Sequence, residues 1–467
     1  MREEKRLVKN TVIIAIGNLS TRLVSFLLLP LYTSLLSTSE YGMIDYVISI
    51  STFCVPFVSM LMDESVFRFL IDCKSEADRK RVISITSKNV IFGCVLFVLI
   101  AIPILLLIRF PYPLELILYI LAFTSVMMLS AILRGQGRTD LYAIFNFSSG
   151  ISNVILNVIF IAFLRLGVKG MLYSYILSQL INSAIFSIRF KVYQQIDFRI
   201  SDKKLNKEII RYSLPLIPNK VSWSIINLSD RIMIMNMIGS SESGLYAVSY
   251  KFPSLMDTIY GFFYQAWKES SARALEGTSV NTFYQKIYTY LRRLMLSVVL
   301  CFTAFMPVIY KIMINSSYHD SLKYVPILLL ATYFSNMSGF FGGIFTAYKT
   351  TNVMGITTAV AALVNIVINI VFIPSIGTLA AALSTLVANI VGYIWRVEAS
   401  KKYMVVKEDL LYTIIQIASV IVIFAMFYHN TSCSIVVMCI YSLIVSVFMN
   451  WELIKTLFKY IKSKKSI

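Results

Sequence analysis

The sequence predicts an all-α polytopic membrane protein with about fourteen transmembrane helices. Three observations favour this fold class: the residue composition, a succession of long apolar runs, and an uneven distribution of basic residues. Of the 467 residues, 57% are hydrophobic and only 14% are charged, and one water-soluble core cannot bury so much apolar surface. Because about 20 residues of helix cross a bilayer, the apolar runs are long enough to be spanning helices.

The apolar runs follow one another almost from end to end of the chain, and each is expected to be one span. The first run contains Arg22 and lacks a small-residue cleavage site, which favours a retained helix over a signal peptide. No soluble domain interrupts the runs, and the longest predicted connections lie near 63–86, 190–212 and 267–286. The predicted spans are approximately 10–35, 41–62, 87–109, 114–133, 141–164, 170–190, 213–238, 244–266, 287–312, 324–347, 351–373, 376–396, 409–428 and 433–454.

Basic residues alternate between the two sides of the predicted membrane. When helix ends are counted with the loops, 34 of the 43 Lys and Arg residues fall on one side, five fall on the other side, and four lie deeper within spans. Since cytoplasmic loops carry the excess of Lys and Arg, this asymmetry predicts that both termini are cytoplasmic. It also accounts for the net charge of +19, so no nucleic-acid partner is expected. The basic tail at 455–465 is expected to lie beside anionic membrane lipid.

Cysteine and histidine placement disfavours a metal site. The six cysteines include no CxxC pair, and a thiol in an apolar run behaves as a small hydrophobe. His319 and His429 lie near short outside loops, where metal ligation or base catalysis is not expected. The chain also has no GxxxxGK[ST] loop for ATP. We therefore predict no catalytic residue, no metal and no cofactor, and a protein that is not an enzyme.

Two segments recur at a nearly constant offset. The tetrapeptide at 39–42 (SEYG) returns at 241–244 (SESG), and the octapeptide at 153–160 (NVILNVIF) returns at 365–372 (NIVINIVF). Six crossings separate the copies, so both halves have the same orientation, as in a parallel repeat. The repeat predicts a six-helix lobe over residues 1–205, a second over 206–400, and two additional helices with a basic tail over 401–467.

The two copies also carry a family resemblance. The segments that carry the resemblance are GNLSTRLVSFLLLPLYTSLLSTSEYG and LSDRIMIMNMIGSSESGLYAVSYKF. The chain resembles the polysaccharide repeat-unit flippases for O-antigen and capsule, in the multidrug/oligosaccharidyl-lipid/polysaccharide exporter superfamily. The resemblance covers essentially the whole chain. It implies a transporter in the bacterial cytoplasmic (inner) membrane that moves undecaprenyl-pyrophosphate-linked oligosaccharide to the outer leaflet. It is also consistent with a glycan polymerase or chain-length complex as a partner.

Cations within the predicted spans are the first candidate site residues, because a charge in the hydrocarbon region costs about 2.5–3.5 kcal/mol. Arg22 lies near the middle of the first span, with Asn18 one turn earlier on the same face. At the 202-residue offset, Asn18 corresponds to Lys220 of the seventh span. Each lobe therefore places a cation on nearly the same part of its first helix.

The seventh span carries a polar stripe. Lys220, Asn227 and Arg231 lie within about 20° of one line at ~100° per residue, and Lys251 of the eighth span adds a further cation. Arg and Lys suit a pyrophosphate group, so these residues predict a cationic substrate-binding cleft. The alternatives are structural: Arg231 pairs with Asp230 or extends toward the interface, and Lys251 pairs with Asp45 or Asp257 between helices.

Asp45 and Asp257 are the candidate residues for coupling to a proton or sodium ion, and salt-bridge partnership is the equally weighted alternative. Tyr246, Tyr250 and Tyr264 share a face of the eighth span that either lines a wet cavity or packs between helices. Four asparagines are expected to hydrogen-bond between helices rather than to bind sugar; they are Asn153, Asn157, Asn365 and Asn369. Asp63, Glu64 and Arg68 form either a cytoplasmic gate or a solvated helix end.

Three other functions remain open at this point. A drug or cation exporter of the same superfamily is expected to favour acidic cavity residues, which the cationic stripe does not match. A membrane polymerase, ligase or glycosyltransferase needs a loop with an acid, a base or a metal, and the outside loops are short. A non-transporting scaffold of glycan assembly predicts that the intramembrane cations can be neutralised without consequence.

Overall fold

A computed structural model describes residues 26–276, 280–407, 410–429 and 431–456, and every regular element in them is helical. The chain forms two compact units. The first comprises the residues up to Met235 together with Gly239–Gly244, and the second comprises Asn236–Ile238 together with the chain from Leu245. The first nine helices are α1 Leu29–Leu35, α2 Thr38–Val58, α3 Met62–Asp72, α4 Glu76–Leu107, α5 Pro113–Gly135, α6 Thr139–Asn157, α7 Gly167–Arg189, α8 Lys203–Ser213 and α9 Ile217–Met237. The remaining helices are α10 Ser240–Ser249, α11 Lys251–Arg273, α12 Val280–Met313, α13 Val325–Ala347, α14 Asn352–Ile376, α15 Thr378–Ser400, α16 Leu410–His429 and α17 Ser432–Met449.

The expected all-α membrane fold is confirmed, with ten described helices long and apolar enough to cross a bilayer and a shorter apolar helix at Cys433–Met449. The seventh and eighth predicted spans correspond to α9 and to α10 with α11. These helices are less apolar because they carry residues such as Lys220, Arg231 and Lys251. Most of the first predicted span lies outside the described residues. The predicted lobe boundaries at 205 and 400 stay a prediction.

The second predicted span ends earlier than expected, and the connection after it is helical. Helix α2 begins at a capping box, in which the Ser37 hydroxyl accepts from the Glu40 amide and the Glu40 carboxylate accepts from the Ser37 amide. It ends at Val58 because Met60 and Leu61 have left-handed backbone angles, with φ of 49° and 50°, which an α-helix cannot accommodate. The predicted connection at 63–86 is helical, because it contains α3 and the first turns of α4.

The core of the first unit joins α3 to four other helices. Val66, Ile83, Leu133, Phe145 and Ile209 come from α3, α4, α5, α6 and α8, and each is 0% exposed. The amphipathic α8, which lies within the predicted connection at 190–212, thus packs into this core rather than lying free. Its burial fixes the chain that leads into α9, where the candidate cations lie.

The repeated asparagines connect neighbouring helices in both units, which confirms the structural interpretation. In the first unit Asn153 donates to the Ser178 hydroxyl of α7 at 3.4 Å, and Asn157 donates to Asn153. In the second unit Asn365 donates to Ser384 of α15 at 3.0 Å, and Ser384 donates to Asn369 at 2.7 Å. Such bonds satisfy polar groups inside an apolar environment and hold the helices in register.

Aromatic side chains of α11 pack on glycines of α13 in the second unit. Trp267 stacks on Phe340 with ring centroids 4.5 Å apart and donates from its indole N–H to the Phe340 carbonyl at 2.8 Å. A methyl group on Gly343 would overlap the pyrrole edge of this indole, and one on Gly339 would meet the Tyr260 hydroxyl. Tyr260 and Tyr264 stack at 5.9 Å. A methyl group on Gly342 of α13 would meet the Tyr264 hydroxyl at 3.4 Å, so the Tyr264 part of the predicted polar face packs between helices.

We expect Gly343→Ala to lower the thermal unfolding midpoint of the purified protein in detergent. The indole of Trp267 is buried and hydrogen-bonded, so it cannot move aside, and overpacking of this kind costs about 1–3 kcal/mol. The matched control is Gly261→Ala on α11, where a methyl group meets no atom within 4 Å. Equal midpoints for the two variants would contradict the packing described.

Candidate functional site

A buried ion pair joins α9 to α2 in the first unit. Arg231 Nε lies 2.5 Å from Asp45 Oδ2, and the two side chains are only 10% and 13% exposed. The sequence suggested Asp230 as a partner of Arg231, and Asp45 or Asp257 as a partner of Lys251, so the contact between Arg231 and Asp45 was not among the suggested pairs. Helix α2 places Asp45 beside Arg231 although the residues are 186 positions apart.

The two copies of the repeated tetrapeptide lie against each other at the adjacent helix ends. Thr38 hydrogen-bonds to Ser241 at 2.7 Å and Ser39 to Ser240 at 2.6 Å, all through their hydroxyl groups. At the 202-residue offset Thr38 corresponds to Ser240 and Ser39 to Ser241, so each bond joins the residue before one tetrapeptide to the first residue of the other. We call Thr38–Gly42 with Ser240–Gly244 the crossed junction; its pattern is that of a local two-fold contact.

Two corresponding glycines allow this close approach. A methyl group on Gly42 would overlap the Ser240 carbonyl oxygen, and one on Gly244 would overlap the Thr38 carbonyl oxygen. Both obstacles are backbone atoms, which cannot turn aside as a side chain does. The glycines therefore let α2 and the first turn of α10 touch through their backbones.

The opposite end of α9 lies near a second carboxylate. Lys220 is eleven residues before Arg231, about 16 Å along the helix, and acts electrostatically on Asp63 at the start of α3. Burial and the neighbouring carboxylate of Glu64 raise the pKa of Asp63 to about 6, and Lys220 lowers this pKa by a smaller amount. Among the described residues, Asp63 Oδ1 is buried without a hydrogen-bond partner.

Asp63 lines a cavity of about 270 Å³ in the first unit. The cavity also contains Glu64, Arg134 and Asn146, with Phe67 and Phe123 among its apolar walls. Arg134 stacks over the Phe67 ring at 4.3 Å. The interpretation of Asp63 as part of a solvated helix end was wrong for this residue, because the carboxyl is largely enclosed, whereas Glu64 is exposed.

The remaining candidates are only partly placed. Arg22 and Asn18 lie outside the described residues, and so does the side chain of Asn227, although its backbone is in α9. Lys251 and Asp257 belong to α11 in the second unit. The cationic cleft therefore stays a prediction, and the contact that the structure shows between two of these candidates is the Arg231–Asp45 pair.

The burial of three arginines was not predicted, because the sequence assigns them to cytoplasmic loops and helix ends. Arg396 is 2% exposed and donates to Thr357 at 2.9 Å, to Thr358 at 3.0 Å and to backbone carbonyls. Arg292 and Arg293 are 6% and 7% exposed on α12. The signal available in the sequence was the position of Arg396 within the last turns of an apolar run.

The crossed junction can be tested by cysteine crosslinking. Hydroxyl oxygens 2.6 Å apart imply that Ser39→Cys and Ser240→Cys bring two thiols within disulfide reach. We expect this double variant to crosslink under mild oxidation in membranes, as measured by mass spectrometry of proteolytic fragments. Adding Gly42→Ala should reduce the yield severalfold, because the backbones must separate.

The control for this experiment is Gly355→Ala, since a methyl group there meets no atom within 4 Å. It should leave the crosslinking yield unchanged. Unaltered crosslinking with Gly42→Ala, or a loss of equal size with Gly355→Ala, would contradict the close approach at the junction.

The raised pKa of Asp63 predicts a pH-dependent stability. A carboxyl group with a raised folded pKa contributes stability that is fully present below its unfolded pKa of 3.8 and is lost as the pH rises through about 6. Asp63→Asn removes this loss. The free energy of unfolding of the variant, relative to that of the parent, should therefore rise by about 1 kcal/mol from pH 5 to pH 8. Thermal unfolding midpoints in detergent across this range provide the measurement.

Glu64→Gln serves as a graded comparison, because Glu64 is the second cause of the raised pKa of Asp63. It should give part of the gain that Asp63→Asn gives. Parallel pH profiles for the parent and Asp63→Asn would show that the carboxyl group is not perturbed by its surroundings.

Solved structures of similar fold cover nearly the whole chain. An inward-facing multidrug resistance MATE family transporter of the MOP superfamily matches with a TM-score of 0.68 at 15% identity, over 87% of this chain and 98% of that one. Lipid II flippase MurJ in an inward closed conformation matches with a TM-score of 0.66 at 16% identity, over 96% and 100%. A MOP superfamily transporter from Pyrococcus furiosus, described as having a binding pocket of reverse polarity, matches at 0.58 and 16%, over 88% and 95%.

At these identities the likeness establishes the fold alone, and that fold is shared by transporters and a flippase rather than by enzymes. An uncharacterized membrane protein of Methanocaldococcus jannaschii is 26% identical over 265 residues, which is 52% of this chain and 62% of that protein. This alignment thus spans less than two thirds of the relative. Residues 7–268, more than half of the chain, match the family described as polysaccharide biosynthesis protein. The chain belongs to this polysaccharide biosynthesis protein family, within the fold of the MOP superfamily exporters.

Proposed function

We propose that this protein transports undecaprenyl-pyrophosphate-linked oligosaccharide repeat units from the cytoplasmic to the outer leaflet, for O-antigen, capsule or exopolysaccharide synthesis. Family membership supports a role in polysaccharide synthesis, and the transporter fold supports movement across the membrane. The observation that carries the proposal is the buried Arg231, because a pyrophosphate group needs a cation inside the membrane. The charge asymmetry of the loops supports a bacterial cytoplasmic membrane protein with both termini in the cytoplasm.

In this proposal the crossed junction closes the outer side of the pathway. The loop asymmetry assigns the start of α2 and the start of α10 to the outer side, and the Arg231–Asp45 pair lies next to them. A buried Arg must stay paired, since an uncompensated charge costs about 3–5 kcal/mol. Opening that separates Asp45 from Arg231 therefore costs less when another anion takes the place of Asp45. The pyrophosphate of the cargo supplies that anion, so binding of the cargo promotes opening.

The inner end of α9 is the proposed place of ion coupling. The pKa of Asp63, near 6, lets its carboxyl exchange a proton close to neutral pH, and Lys220 faces it from α9. This favours a proton over sodium as the coupling ion, and Asp63 over Asp45, whose carboxylate is held by Arg231. Asp257 of α11 stays a second coupling candidate.

The other predicted residues keep proposed roles. Arg22, Asn18, Asn227 and Lys251 are proposed to contact the charged or sugar part of the cargo, together with Lys220. Membrane lipids surround the apolar helices, and a glycan polymerase or chain-length complex is a proposed partner on the outer side. No metal or cofactor enters this scheme.

The proposal is tested by complementation of surface-glycan production in cells lacking their own flippase. Asp45→Asn and Arg231→Gln each leave one member of the buried pair alone, so surface glycan should fall at least about tenfold. The exchange variant, Asp45→Arg with Arg231→Asp, restores an ion pair and should recover closure but not cargo binding. Surface glycan and lipid-linked repeat units retained inside are both measured at matched membrane expression.

Glu452→Gln is the control, because it breaks a cation–carboxylate contact of 3.3 Å with Arg293 elsewhere in the chain. Arg293 keeps its contact with the Tyr412 ring at 4.0 Å, so this variant should transport normally. Full activity of the Arg231 and Asp45 variants would contradict the cationic pathway and favour a scaffold. Failure of the parent in every glycan pathway tested, with increased drug resistance, would favour an exporter.

A further inference from the structure

A polar cavity lies at the loop ends of the first unit, apart from the crossed junction and from Asp63. Its volume is about 560 Å³, and it is enclosed by the first turn of α4, the turn between α5 and α6, and the 3₁₀ helix Val192–Gln195. The charged groups in its wall are Glu76, Arg79, Lys80 and Arg138. The cavity therefore carries three cations against one carboxylate.

Hydrogen bonds between separate elements hold the wall of this cavity in place. Gln136 donates to the Gln195 side chain at 2.6 Å, and Ser84 of α4 donates to the Gln195 carbonyl at 3.3 Å. The Asp197 amide donates to Ser84 at 2.9 Å, and the Asp197 carboxylate pairs with Lys80 at 3.3 Å. The cavity is thus a fixed feature that four segments of chain build together.

Two arginines supply the binding capacity of the cavity. Arg79 Nε is buried and has no hydrogen-bond partner among the described residues. Arg138 lies over the Phe190 ring at 5.0 Å, which orients its guanidinium plane. A buried guanidinium nitrogen without a partner is costly, and forked Arg donors match the oxygens of a phosphate group. A phosphate group would accept hydrogen bonds from both Arg79 and Arg138.

The surroundings indicate a lipid rather than a dissolved metabolite. Tyr193 and Phe198, on either side of Gln195, are 51% and 60% exposed, as is typical of aromatic side chains at a membrane interface. The loop charges assign this end of the unit to the cytoplasmic side, where the leaflet is anionic. We propose that this cavity binds the phosphate headgroup of an anionic phospholipid, with Arg79 and Arg138 as its principal ligands.

Native mass spectrometry of the purified full chain with titrated phosphatidylglycerol tests this proposal. Phosphatidylglycerol should bind more tightly than phosphatidylethanolamine, and Arg79→Gln or Arg138→Gln should weaken its binding about tenfold. Arg79→Lys, which keeps the charge, should retain part of the affinity. Glu76→Gln removes a negative charge that repels the phosphate, so it should tighten lipid binding. Damage to the fold cannot produce such a gain in affinity.

The matched controls are Lys203→Gln and Lys207→Gln, which remove exposed cations from α8 outside the cavity. They should leave the affinity within about twofold of the parent. Equal loss in these controls, or equal binding of both phospholipids, would overturn the proposal. Competition by glycerol phosphate or inorganic phosphate at the concentration at which the lipid binds would also overturn it, in favour of a soluble phosphate compound.

Discussion

The structure depends on one constraint: inside a bilayer, every polar group must find its partner within the protein. The chain meets this constraint by placing partners on neighbouring helices. Asp45 accepts from Arg231 between α2 and α9, Ser384 bonds to both asparagines of α14, and Arg396 reaches two threonines of the same helix. Such contacts hold particular helices together where lipid and apolar side chains do not discriminate between packing partners.

The internal repeat gives this constraint a symmetric solution. In the crossed junction each copy of the tetrapeptide offers a glycine for close approach and hydroxyl groups for the other copy. A contact made by the same surface twice is self-complementary, as in a two-fold dimer. Duplication of one bundle within a chain thus produces a matched contact without two surfaces having to evolve separately. The asparagine pairs also recur, and in each copy an asparagine donates to a serine of the next long helix.

Sequence reasoning succeeded where the signal is long and periodic. Apolar runs of about 20 residues predicted the spans, and the paired Asn365 and Asn369 predicted the bonds between helices. It failed where the partner is distant in the chain, since nothing local to Arg231 points to Asp45. It also missed the break at Met60, because left-handed residues there are imposed by packing rather than by glycine. Arg396 was overlooked because a cation near the end of an apolar run looks like a loop residue.

The arrangement along α9 connects the proposed transport to a barrier against leakage. With no cargo bound, separation of α2 from α10 would strip Asp45 from Arg231 and leave a buried charge, which costs about 3–5 kcal/mol. At that cost the open state has a population between about one part in a hundred and one part in a few thousand. A cargo that brings its own anion removes the cost, so the same ion pair that holds the helices together selects for charged cargo. Because Lys220 and Asp63 act on the other end of α9, a proton on Asp63 changes the charge there without disturbing the Arg231 pair. In the proposed mechanism, the anion of the cargo acts at the Arg231 end of α9 and the proton acts at the Asp63 end.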